Sequence, residues 1–170
     1  MSNWNGLVKI LEFNLIRNGE IILQFKNLKN LLHASGEDFI LRACFFGGQT
    51  SSIIPENYYL GLDNRENLDV ADTMVSLAGE PSGNGYSRQA ISSAGSFVIS
   101  TSSNHYIATS PIVTFQAIGS SWGPVNNLFL TTETDGTGYL ISSVELPQAV
   151  TVAAGDMITL RTVLSLRDCP

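Results

Sequence analysis

From Tyr58 onward the chain is a succession of short extended runs, each closed by residues that turn a backbone, and no other feature narrows its folding options as far. The runs are Tyr58–Leu62, Tyr86–Ser92, Phe97–Thr101, Tyr106–Thr109, Ile112–Ala117, Asn127–Thr132, Tyr139–Leu146 and Met157–Leu166. Between them lie Asn104-His105, Gly119-Ser120-Ser121, Asp135-Gly136 and Gly155-Asp156, residue types that reverse a chain cheaply. This spacing predicts a mainly β protein, an antiparallel β-sandwich of jelly-roll-like form with two packed sheets. In the last run Ile158, Leu160, Leu164 and Leu166 share one face, with Thr162 between them, while Arg161 and Ser165 point the other way.

The chain ahead of Tyr58 is different. Residues 7–25, LVKILEFNLIRNGEIILQF, are two apolar runs around Asn18-Gly19, the strongest short hairpin signal, which predicts strands near 8–16 and 20–25. Leu28, Leu31 and Leu32 follow at helical spacing. Ser35-Gly36-Glu37-Asp38 before FILRACFF then reads as an N-cap leading into one or two helical turns, closed by Gly47-Gly48. Residues 1–35 are expected to form an N-terminal extended arm and residues 36–170 the sandwich domain with its one short helix.

Gly79–Ile91, GEPSGNGYSRQAI, is the most sharply punctuated stretch. Pro81, Gly83, Asn84 and Gly85 force a tight reversal, and the alternation after it places Tyr86 and Arg88 on one face of a strand. Gly83 and Gly85 are expected to shape the backbone and Tyr86 to anchor the strand. Arg88 is expected to form a buried or interfacial bidentate pair with a carboxylate.

Composition limits the functional classes. Charged residues make up 14% of the chain, below the roughly 25% of an ordinary soluble domain, so Ser, Thr, Asn and Gly must build much of the surface. The net charge is −6, with residues 1–48 carrying five basic and four acidic side chains and residues 49–170 four and eleven. No basic stripe suggests nucleic acid, no apolar run is long enough to span a membrane, and no secretory signal is expected. Cys44 lies in an apolar run and is expected to be a buried thiol; Cys169 gives it no metal or disulfide spacing.

Motifs with chemical meaning are weak. Gly119-Ser120-Ser121-Trp122-Gly123 fits G-x-S-x-G, but both histidines precede it and β-like sequence follows, so the expectation is a turn with Trp122 packed at a sheet edge. Asp63, Glu66, Asp69 and Asp72 offer oxygens for an irregular calcium site, with a solvated loop as the default. Gly83-x-Gly85 leads into a strand, which provides no helix N-terminus for a phosphate. Glu80, Glu133 and Glu145 are the carboxylates for a glycosidase reading, with Tyr58, Tyr59, Tyr86, Tyr106, Tyr139 and Trp122 as sugar-stacking surfaces or, more simply, β-core aromatics. His33 and His105 are too few for a zinc site. No cofactor and no enzymatic activity are expected.

The order of several segments resembles a family of small tailed-bacteriophage virion structural proteins. These segments are Phe45-Phe46-Gly47-Gly48, Pro55 to Leu62, the acidic loop, Gly83-Asn84-Gly85-Tyr86-Ser87-Arg88-Gln89, Val113 to Ala117, Trp122-Gly123-Pro124-Val125, Gly138 to Ile141 and Gly155-Asp156. The resemblance covers about residues 40–167, and segment 1–35 departs from it. It implies a β-sandwich capsid decoration (cement) protein, a homotrimer on the phage head surface that bridges major capsid protein subunits after assembly in the host cytoplasm. A tail-fibre or baseplate appendage with glycan-receptor loops is the alternative, and a carbohydrate-active enzyme a further one. On this reading residues 1–25, through Leu11, Phe13 and Leu15, either reach a neighbour or pair with their own sheet; these three join Gly83, Gly85, Tyr86, Arg88 and Trp122 as structural or interface candidates.

Overall fold

A computed structural model describes residues 4–46, 54–77, 79–102 and 105–168 of the chain. Its first element is the hairpin read from Asn18-Gly19: β1 (Trp4–Arg17) and β2 (Glu20–Lys29). Asn18 and Gly19 have φ of 53° and 83°. Both central residues are left-handed, as the tight turn between twisted strands requires. Residues 4–17 do not stand apart as an arm. β1 lies between β2 and the last strand, β11 (Met157–Asp168), and pairs with both. A bulge between Ile10 and Glu12 sets Leu11 outside the β11 register. This extra residue changes the parity of the strand, so that Ile10 before it and Phe13 and Leu15 after it all reach the core. Phe13 and Leu15 are therefore core residues, unavailable to a partner, and Leu11 is half-buried at the bulge.

The first sheet continues from β11 to β7 (His105–Thr109) and β6 (Val98–Ser102), giving the order β2-β1-β11-β7-β6. A further strand, β8 (Val113–Gln116), pairs with Met157–Leu160 of β11, just beyond the Val163–Ser165 segment that pairs with β7. Strands β7 and β8 thus occupy successive stretches of one β11 edge. Ser110 bridges the gap, its amide donating to the Thr162 carbonyl and its Oγ accepting from the Thr162 amide, both at 3.0 Å. The second sheet has the order β3 (Leu31–Leu32), β10 (Leu140–Val152), β9 (Trp122–Thr131), β4 (Asn57–Asp63) and β5 (Gln89–Ser92). Every pairing is antiparallel. The described residues form a mainly β sandwich of two antiparallel sheets with one α-helix.

Helix α1 (Ala34–Phe45) follows β3 directly and is longer than the sequence suggests. Its N-cap is His33, because the Ser35 hydroxyl is used elsewhere, donating to the Leu140 carbonyl at 2.7 Å. Leu28, Leu31 and Leu32 belong to strands β2 and β3, where sheet pairing overrides their helical spacing. The helix buries Gly36 and Phe39. Cys44 lies about 140° round the axis from Phe39, off the buried stripe, and its thiol is exposed, contrary to expectation. Cys169 lies outside the described residues.

Phe13, Phe115 and Ile158 of the first sheet and Leu60, Leu62 and Leu128 of the second fill the space between the layers. A second cluster of Met74, Leu77, Phe129 and Leu140, with Leu68 against it, covers the far side of the second sheet. Strand β9 is consequently buried on both faces: Leu128 and Leu130 belong to the main core and Phe129 to the second.

The helix docks on β10 through Gly36, where an added Cβ would fall 2.3 Å from the Ile141 carbonyl oxygen. Backbone on both sides leaves no room to yield. Gly36→Ala is expected to cost about 2 kcal/mol or more in urea unfolding, whereas Gly136→Ala, in open space, leaves the midpoint unchanged. Equal midpoints would show that the helix can move off β10 freely.

Candidate functional site

The reversal at Gly79–Ile91 is built as its glycines suggest, but it feeds its strand later than expected. Gly83, Asn84 and Gly85 all have positive φ (68°, 50° and 81°). The Tyr86 amide closes the turn on the Gly83 carbonyl at 2.9 Å. A Cβ on Gly85 would meet Ile118 and the Gln116 carbonyl within 2.9 Å, so close approach as well as φ demands glycine there; Gly83 faces open space. The Asn84 carbonyl accepts from the Ile118 amide at 2.8 Å and from the Trp122 indole at 3.0 Å.

Strand β5 begins at Gln89, opposite Leu60, and not at Tyr86. The next outward-facing amide of β4, Leu62 N–H, donates instead to the Tyr86 hydroxyl at 2.9 Å. A phenol here replaces a strand. The Tyr86 hydroxyl in turn donates to Glu80 Oε1 at 2.7 Å. Its ring stacks on Phe115 (6.0 Å, 11°) and meets Trp122 edge-on (5.5 Å, 86°). Burial pushes the Tyr86 hydroxyl far above the ordinary phenol range, with the Leu62 amide opposing and the Glu80 carboxylate adding to the rise.

Arg88 is the hub of the segment. Nε and Nη2 donate to Glu80 Oε1 and Oε2 at 2.9 and 2.8 Å, a bidentate pair, and Nη1 donates to the carbonyls of Glu133 and Asp135 at 2.9 and 2.7 Å. Its side chain is 9% exposed, and its Cζ lies 5.2 Å from the Phe129 ring centroid. That ring lies over Gly61 of the neighbouring strand, where a Cβ would fall 2.2 Å from Phe129 Cζ. Burial alone would lower the guanidinium's pKa, but the Glu80 bonds and charge outweigh it and hold Arg88 charged.

The acidic loop is not simply solvated. Asp63 is fully buried, accepting from the amides of Arg65 (2.8 Å) and Gly79 (3.0 Å). Burial raises its pKa despite those bonds. Asp72 accepts from the Asp69 amide at 2.7 Å and pairs with Arg65 at 2.8 Å. Asp63, Asp69 and Asp72 are spent on the loop's own backbone and on Arg65, Glu66 is exposed, and no group of three possible ligands converges among the described residues. Asn126 and Asn127 side-chain amides add bonds to the carbonyls of Asn64 and Arg65. Together these bonds hold 63–77 down as the lid of the second core.

The three glycosidase carboxylates are differently engaged. Both Glu80 oxygens serve Tyr86 and Arg88, Glu133 contributes its backbone carbonyl, and Glu145 is exposed on β10. Trp122 is 4% exposed and packed against Tyr86, so its faces are not open for a sugar; Ser120 and Ser121 sit in the turn before it. A polar cleft of about 270 Å³ opens beside Glu80, Ser82 and Ser121. His33 is buried, with Nε2 2.9 Å from Ser143 Oγ; burial lowers its pKa against weaker opposing pulls from Asp69 and Asp72. The role of Glu80 as Arg88's partner has one sequence signal, its place on the opposite limb of the same turn. The Gly61–Phe129 pair and the Asp63 lid depend on register and have none.

At the far end of β1, Arg17 donates bidentately to Asp156 at 2.8 and 2.7 Å, joining that strand to the β10–β11 turn. The Arg17 hydrogen bond holds Asp156 below the usual carboxylate range, against its burial. A carboxyl depressed in the fold contributes stability that is present above its unfolded pKa of about 3.9 and is lost as pH falls through the lower folded value. Asp156→Asn is expected to lower the urea midpoint near neutral pH and to flatten its fall below about pH 4. Asp63, whose shift has the opposite sign, is common to both proteins and cancels. An unchanged acid slope would contradict the latch.

Arg88→Lys keeps the charge but loses the fork and is expected to cost about 2–3 kcal/mol in equilibrium unfolding. Arg42→Lys, whose pair with Asp38 is exposed on both sides, is expected to leave the midpoint in place. Equal effects would mean that Arg88 is not the hub described. Comparison with known proteins brings no relative: no family model, no curated protein and no solved structure matches the chain.

Proposed function

We propose that this chain is a non-enzymatic structural subunit of a tailed-phage virion, a decoration protein that binds the head surface as a homotrimer and bridges major capsid protein subunits. The segment order described above supports the family, and one observation carries the assembly reading: an open sheet edge without charge. Residues 89–132 contain no Asp, Glu, Lys or Arg. They supply β6, the last strand of its sheet among the described residues, on which Val98 and Ile99 are 65% and 64% exposed, and Tyr106 on β7, which is 75% exposed. Natural edge strands are usually guarded by Lys, Pro or inward charges, and β6 has none of these. Copies that each carry −6 meet with least repulsion on such a neutral edge. A ring of three would offer three weak capsid contacts at once, which multiply through effective concentration.

Sedimentation and light scattering are expected to give a species of three 18.4 kDa chains. Val98→Lys with Tyr106→Glu is expected to release monomers of unchanged melting temperature. A wild type that stays monomeric both free and on phage heads overturns the reading. Location of the protein on the virion tail in a few copies would instead favour the appendage alternative.

A further inference from the structure

The two sheets part beside β6 and β7. Across β11, β7 and β6 the inner face carries a lateral row set by register: Leu164 opposite Ala108, and Ala108 opposite Ile99. The middle member of this row is a single methyl group. Facing it are Tyr58, Leu130 and Ile141 of the second sheet, and Phe39 of α1 closes one end. The result is an apolar cleft of about 290 Å³. Its floor reaches core side chains, since Leu130, Ile141 and Phe39 are 2%, 3% and 4% exposed. Its mouth lies beside Ile99.

The walls define what the cleft accepts. No charged side chain lines it, and Tyr58 is its only polar one among the described residues. Tyr58 is held edge-on to Phe39 and to Phe97, each at 6.1 Å, so the aromatic wall is fixed on two sides. An apolar chamber of about 150 Å³ is enough to stay dry and take up benzene. This cleft, at about 290 Å³, is larger, apolar in its lining and open at its mouth. A charged ligand would lose its hydration with nothing to replace it.

We propose that the cleft between the sheets is a binding site for an uncharged, apolar small molecule, of the size of a two-ring aromatic or a medium-length alkyl chain. Ala108 makes the room for it, and Ile99 guards the entrance. This site does not depend on the virion reading: it belongs to the isolated chain and would be present in a monomer.

The test is a fluorescence titration of the full chain, both as wild type and with Val98→Lys and Tyr106→Glu to keep the β6 edge unpaired, using N-phenyl-1-naphthylamine, an uncharged probe, alongside 8-anilinonaphthalene-1-sulfonate, which adds a negative charge to a similar body. Saturable one-to-one binding of the uncharged probe is expected, at least about tenfold tighter than that of the charged one. Ala108→Phe, which fills the cleft, is expected to weaken the uncharged probe at least about tenfold without lowering the melting temperature. Ile99→Trp, at an exposed position where folding is not at stake, is expected to do the same by covering the mouth. Three results each overturn the proposal: no saturable binding, equal affinity for both probes, or an Ile99→Trp protein that binds like the wild type. Probe release that follows subunit association instead of these substitutions also overturns it, and assigns the cleft to contact between copies.

Discussion

The largely buried guanidinium of Arg88 ties together three separate parts of the chain. Its fork closes on Glu80, its third nitrogen reaches the 133–135 turn, and its plane covers the Phe129 ring. Glu80 extends the network to Tyr86, and Tyr86 extends it to the Leu62 amide at the point where β5 stops pairing. A largely buried arginine without its carboxylate would be strongly unfavourable. The reversal at Gly79–Ile91 is therefore a clamp. It fixes the 63–77 lid against the second sheet and so allows β9 to be buried on both faces.

What could be read in advance was local, and what could not be read was relational. Asn18-Gly19 announces its hairpin because the turn geometry belongs to those two residues alone. The alternating segments after Tyr58 announce strands for the same reason. The status of residues 1–17 depends on pairing with Met157–Asp168 at the other end of the chain, and the bulge at Leu11 conceals the strand's period by moving its apolar positions from even to odd. The late start of β5 likewise depends on a phenol reaching across from Tyr86. Leu28, Leu31 and Leu32 have helical spacing in sequence and lie in strands, because neighbouring strands were already there to pair with.

The same distinction applies to the candidate site. Arg88 invited a carboxylate by its chemistry, but which of the acidic residues would answer was decided by the fold. Asp63 and Asp72 looked like ligands or solvated charges; in place, they cap backbone amides and receive Arg65. Polar chemistry in this protein is largely consumed in holding loops to sheets. Val98, Ile99 and Tyr106 at the β6 edge are among the exposed apolar side chains, and the apolar cleft opens beside them.

Native-state hydrogen exchange at the Leu62 and Gly79 amides tests the clamp most directly. Both donate to side-chain oxygens of the network, not to a strand. If the segment is a rigid part of the fold, these two amides exchange only through global unfolding, at the rate of the β4–β9 ladder. Exchange through local opening, orders of magnitude faster than that ladder, would contradict the account and reduce Gly79–Ile91 to an ordinary surface loop.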